Sequence, residues 1–244
     1  MTATPDKLLA LRVGTTTAGD NLKRAIEAGD VVETAEGRLQ IGERGPSSIW
    51  VYVDHGPSLG CDFLMHFMFD HVYGHAAVPH GCSGCYKVKV GLRTLRELVA
   101  AWQIAKGIQC RSKWGIDLTN PFSQNVYAGY FYTAGLDGAR VLYKVVREAI
   151  DADPKLGAGI TMTIKRGCSE YEIEVGPSDS YQFTPEMAEL ESYLKARFER
   201  STTAQNRARV LAHWIDIAYR LGDDTYLDFT EGRRRRAKTL TYAP

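Results

Sequence analysis

YKVKVGLRTLRELVAAWQIAKG, Tyr86–Gly107, is the segment that decides the fold. Tyr86 to Val90 alternates apolar and lysine side chains, the period-two pattern of a strand with unlike faces. Thr94 with Glu97 three residues on is a capping box, and Leu95, Leu98, Val99, Trp102 and Ala105 then keep helical spacing until Gly107. The same logic continues downstream. Lys113–Leu118 and Val126–Tyr132 read as strands joined through the Asn120-Pro121 turn. Asp137–Ile150 is a helix with Ala139, Leu142, Val145, Val146 and Ala149 inward, and Ile160–Lys165 is a strictly alternating strand. A β-α-β-β-α-β order over about residues 85–168 predicts an α+β protein with a ferredoxin-like core.

Residues 1–80 read as an α/β extension of that core. Asp20-Asn21 opens a helix with Leu22, Ala25, Ile26 and Ala28 on one face, stopped by Gly29. Val31–Ile41 is a hairpin turning at Glu36-Gly37, and Ile49–Val53 is a strand broken by Gly56-Pro57-Ser58. Cys61–Tyr73 is a helix apolar almost all round, as buried helices are. The core spans residues 81–170, with Glu170–Ser180 as a polar connection out of it. Residues 171–244 supply two amphipathic packing helices. One starts at Thr184-Pro185 and carries Met187, Leu190, Leu194 and Phe198. The other runs from about Ala204 to Leu221 with Val210, Trp214, Ile217 and Ala218.

The fold has a consequence for the cysteines. In a sheet of strand order 4-1-3-2, the first two strands start at one edge and the fourth ends there. Cys82 and Cys85 precede the first strand, Cys110 the second, and Cys168 follows the fourth. Folding therefore predicts one four-cysteine site. A CxxC plus two distant single cysteines points to an iron–sulfur cluster, [4Fe–4S] in type, with zinc as the alternative. Cys61, at the start of the apolar helix, reads as a small buried residue, with an alternate ligand as the other reading.

Five of the six histidines, His55, His66, His71, His75 and His80, fall between Asp54 and Tyr86. Asp62, His66 and Asp70, at i, i+4 and i+8, form one polar line on the apolar helix. A histidine between two carboxylates is a satisfied core group, a metal ligand or acid–base machinery beside a metal, or part of a solvent-facing stripe without function. The candidates for proton handling are His66, Asp70, His80 and Glu170, the last two residues past Cys168. His55, His71 and His75 carry no assignment from sequence.

These features predict a metal-centred protein in redox or metal-assisted chemistry, with an oxidoreductase of iron–sulfur type as the enzyme class. The sequence has no CxxxCxxC, no GxGxxG between strand and helix, no phosphate loop and no GxSxG elbow. A net charge of +1 gives no whole-molecule field toward nucleic acid or anionic membrane. The rival reading is an RNA-binding module with a structural zinc. It places Lys87, Lys89, Tyr127, Phe131 and Lys165 on one sheet face, with Arg233–Arg236 as a basic tail. A subunit of a larger complex, or an oligomer, is a third class. The longest apolar run, Phe63–Phe69, is broken by His66 and too short to cross a bilayer, so no membrane partner is expected. MTATPDKLLALRVG is not a signal peptide, so the expected compartment is the cytoplasm, where thiols stay reduced.

Overall fold

The computed structural model describes residues 4–42, 49–55, 60–118, 120–200 and 207–235. The Gly56-Pro57-Ser58 break, the helix start at Ala204 and Arg236 lie outside the described residues. The chain opens with α1 (Pro5–Leu9), the pair β1 (Arg12–Val13) and β2 (Thr16–Thr17), α2 (Ala18–Ala28), and the hairpin β3 (Val31–Glu33) and β4 (Leu39–Ile41). Then come β5 (Trp50–Val53), α3 (Cys61–Phe63), a π-helix (Leu64–Val72) and a 3-10 turn (His80–Cys82). The middle comprises β6 (Cys85–Leu92), α4 (Leu95–Gly107), β7 (Ser112–Ile116), β8 (Tyr127–Ala134), α5 (Gly135–Asp151) and β9 (Thr161–Arg166). Last are α6 (Ser169–Glu174), α7 (Pro185–Lys195), α8 (Arg207–Leu221) and a 3-10 helix (Asp224–Phe229).

The protein is mixed α+β around a five-stranded sheet ordered β5-β7-β8-β6-β9, antiparallel at every pairing. Thr94 caps α4 as its sequence requires, its hydroxyl accepting the Glu97 amide at 3.2 Å. The fifth strand, β5, comes from the N-terminal region and pairs with β7, Val51 opposite Trp114.

Register divides the sheet into two faces, because paired residues point the same way and neighbours alternate. Val51, Trp114, Gly129, Val90 and Met162 lie in one row, and Val53, Ser112, Phe131 and Val88 in the next. Both rows face the main apolar core, shared with Leu95, Leu98, Val146, Ile150 and Trp214 of the helices. Burying each of these large side chains contributes about 1.5–3 kcal/mol. Gly129 is required here: a Cβ on it would stand 2.1 Å from the buried Trp114 ring.

The opposite face carries Tyr52, Lys87, Lys89, Lys113, Tyr130, Tyr132 and Lys165. Tyr127 and Phe131, expected beside these lysines, are each 1% exposed in the main core. Phe131 pairs with Val88, and a shift of one residue in register exchanges the faces. The aromatics that meet the lysines are Tyr130 and Tyr132.

Two further expectations change. The helix expected at Cys61–Tyr73 is α-helical for three residues and then π-helical. Its apolar sides separate: Phe63, Phe67, Met68 and Val72 pack with α2 and α7, while Met65 and Phe69 pack with Cys82, Tyr171 and Tyr181. The connection expected from Glu170 begins as α6. Among the described residues, no helix is long and apolar enough to cross a membrane.

Candidate metal centre

The CxxC turn is held from three sides. Glu191 of α7, 6% exposed, accepts the His80 amide at 2.5 Å, the Gly81 amide at 2.8 Å and the Tyr73 hydroxyl at 2.9 Å. Arg166 of β9 donates to the Ser83 carbonyl at 3.2 Å. The Gly84 and Cys85 carbonyls accept the amides of Gly135 (2.8 Å) and Gly167 (2.9 Å). The backbone polar groups of this tight turn are thereby paired, which fixes where Cys82 and Cys85 stand.

Cys168 arrives from β9, the sheet neighbour of β6, through the left-handed turn at Gly167. Its sulfur accepts the Lys87 ammonium at 2.9 Å. The Cys82 sulfur lies 3.2 Å from the Tyr171 hydroxyl. Cys61 enters from the head of α3.

The electrostatics show which thiols share a neighbourhood. Burial pushes Cys82 well above the ordinary thiol value, and Cys168, Cys85 and Cys61 add to the rise against the Tyr171 hydrogen bond. Burial raises Cys85 to about 11, with Lys87 opposing and Cys168 and Cys61 reinforcing. Cys61, exposed as a residue, has its thiol raised by partial desolvation and then by Cys168, with Lys87 and Arg111 opposing. Lys87 is 3% exposed. Burial disfavours its charge, yet Cys168, Tyr132 and Cys85 hold its pKa well above the usual lysine value.

Cys110 stands apart from this group. β8 separates its strand from β6, about 10 Å across two strand spacings. Its thiol donates to the carbonyls of Tyr132 (3.1 Å) and Arg111 (3.5 Å) and packs against the main core, and burial alone raises its pKa. Cys61, Cys82, Cys85 and Cys168 thus act on one another electrostatically, a set in which sequence topology named Cys110 and not Cys61.

No protein family, curated protein or solved structure matches this chain.

Among the described residues, no three His, Cys, Asp or Glu side chains are drawn together tightly enough for one metal ion. A tetrahedral zinc with ligand distances near 2.3 Å needs sulfurs about 3.8 Å apart. A cluster interposes several iron atoms and takes thiolates set wider than a single ion does.

The histidines arrange differently from the expected line. Asp70 bridges His66 (Nδ1–Oδ2 3.3 Å) and His75 (Nε2–Oδ1 3.4 Å) at a partly exposed edge. Asp62 turns away to Arg200 at 2.5 Å. His80 packs edge-on to Phe183, His55 contacts the Lys106 carbonyl at 3.1 Å, and His71 lies on the π-helix. Glu170 is exposed on α6. Sequence reasoning missed Glu191, although a carboxylate inside the apolar stripe Met187-Leu190-Leu194 was a visible signal. It also missed Lys87 as a buried charge.

Proposed function

We propose that the protein binds an iron–sulfur cluster, [4Fe–4S] in type, through Cys61, Cys82, Cys85 and Cys168, and acts in redox or metal-assisted chemistry. The observation that carries this reading is the buried Lys87 ammonium, which has a cysteine sulfur as its hydrogen-bond acceptor and three of the four thiols in its electrostatic field. A buried cation is costly without a counter-charge. Protonated thiols provide none, whereas a thiolate-ligated cluster is anionic and would be neutralised by Lys87 and Arg111. When bound, the cluster supplies one-electron transfer. The protein's own part is to hold the sulfurs, donate a hydrogen bond to Cys168 and balance the charge. A reducing cytoplasm and a redox partner suit this reading. We also read the sheet as a ferredoxin-like core, supported by the order 4-1-3-2 of β6, β7, β8 and β9.

Anaerobic purification or reconstitution tests the proposal. Absorbance at about 400 nm with matching iron and acid-labile sulfide is expected. Serine at Cys61, Cys82, Cys85 or Cys168 abolishes it, and Cys110→Ala leaves it intact. A colourless protein with one zinc per chain, or a cluster that needs Cys110 but not Cys61, overturns it.

A further inference from the structure

The lysine-bearing sheet face is hollowed beside Cys168. A cavity of about 100 Å³ is lined by Trp50, Lys87, Lys113, Asp117, Asn120, Tyr130, Ser169 and Glu170, with Ile173 at its rim. That volume equals about three waters and admits a small ion.

The charges in the cavity are unevenly satisfied. Asp117 Oδ2 accepts from the Tyr130 hydroxyl (2.6 Å) and Asn120 Nδ2 (3.0 Å), and pairs with Lys89 at 3.6 Å. Lys165 pairs with Glu172. Lys113 has no carboxylate within ion-pair distance among the described residues. Its ammonium stands 4.2 Å from the Trp50 ring centre and 5.2 Å from that of Tyr130. The cation–π contacts offset part of its desolvation but give it no hydrogen-bond acceptor. Burial and then Lys87 push its charge out of favour, while Cys168, Glu170 and Asp117 favour it without outweighing them. Ser169 Oγ accepts from Asn120 Nδ2 at 3.0 Å, which leaves the serine hydroxyl hydrogen to donate.

We propose that this cavity binds a small oxyanion, a carboxylate or a tetrahedral anion, ion-paired to Lys113 and hydrogen-bonded by Ser169. Trp50 and Tyr130 wall it from water, which strengthens the ion pair. Glu170, exposed and also lining the cavity, opposes the anion and so favours a monoanion over a dianion. Ser169 and Glu170 directly follow Cys168, so the anion lies next to the proposed cluster. That it is the substrate of the redox chemistry rests on the cluster reading; that it binds does not.

Binding is measured by tryptophan fluorescence during titration with acetate, sulfate and the neutral acetamide at constant ionic strength, on protein with and without reconstituted cluster. A saturable response to acetate or sulfate, lost in Trp50→Phe and absent with acetamide, is expected. Lys113→Gln weakens it at least about tenfold, and Lys113→Arg keeps it within a few-fold. The stronger of the two anions identifies the class. Equal affinity in Lys113→Gln, or no saturable response from folded protein, overturns the proposal. Lys113-dependent binding in a protein that takes up no iron leaves the pocket standing and removes the cluster reading. A cluster without anion binding does the reverse.

Discussion

Glu191 Oε2 accepts the Gly81 amide at 2.8 Å, which ties a helix near the end of the described chain to the CxxC turn 110 residues earlier. A Cβ on Gly81 would lie 2.7 Å from Leu64 Cδ2 and 3.3 Å from the Glu191 carboxylate, so a side chain there would require the Leu64 end to move. The carboxylate's three donors are the reason for its burial, because a buried charge without partners is far costlier.

Glu191→Ala leaves the Tyr73 hydroxyl and two amides without their acceptor. A loss of about 3–5 kcal/mol is expected in chemical denaturation, from about 1–3 kcal/mol for each of three unsatisfied groups, toward the low end because the two amides are only partly buried. Glu191→Gln keeps an acceptor and should lose about half as much. If the alanine variant is as stable as the native protein, the anchoring role is wrong.

Lys87→Met removes the cation beside the proposed cluster. A positive charge nearby favours the reduced, more negative state, so the midpoint potential should fall. At an effective dielectric of about 20, the charge is worth roughly 1–3 kcal/mol. Redox titration of the reconstituted variant reads this directly, and an unchanged potential excludes Lys87 from the cluster's surroundings.

The apo protein should weaken at alkaline pH. Cys85, raised to about 11 in the fold, and Cys82, raised further, remain protonated where the unfolded chain's thiols ionise. A group whose folded pKa is raised stabilises the fold below its unfolded value and loses that contribution as pH rises. Lys87 shares this sign, while Lys113, with its pKa lowered by burial, has the opposite one. Denaturation midpoints should therefore fall from about pH 8.5 to 11. Serine at both Cys82 and Cys85 should flatten that slope. A slope unaffected by the double substitution refutes the assignment.

Gly129→Ala tests the fold independently of the site. Its Cβ would meet three atoms of the Trp114 ring at 2.1–2.5 Å, and Trp114 is fully buried and hydrogen-bonded to Ser112 at 2.9 Å. Overpacking there should cost about 3 kcal/mol. Retained stability would mean that Trp114 does not cross β8 at Gly129.

The order of strands and helices was legible along the chain because each signal is local. Alternation in Tyr86–Val90, the Thr94–Glu97 cap and the spacing in Leu95–Ala105 depend on residues a few positions apart. Cys82, Cys85 and Cys168 followed from that order, since they sit at the ends of adjacent strands, β6 and β9. The π-helical winding of Leu64–Val72 left no such mark, because its apolar residues fit either helix type.

Sequence by itself therefore determined the order of the main strands and helices and placed Cys82, Cys85 and Cys168 at the ends of β6 and β9. Tertiary structure alone puts Cys61 in the electrostatic surroundings of Cys168 and sets β8 between Cys110 and the Cys82/Cys85 turn. β8 lies between β7 and β6, and Cys110 packs against the main core, whereas Cys61 stands at the head of α3, where Cys168 and Lys87 act on its thiol. The same holds for Glu191, Lys87 and Lys113: whether a charge is buried, and what it meets there, depends on chains brought together across a hundred residues, and no local pattern encodes that meeting.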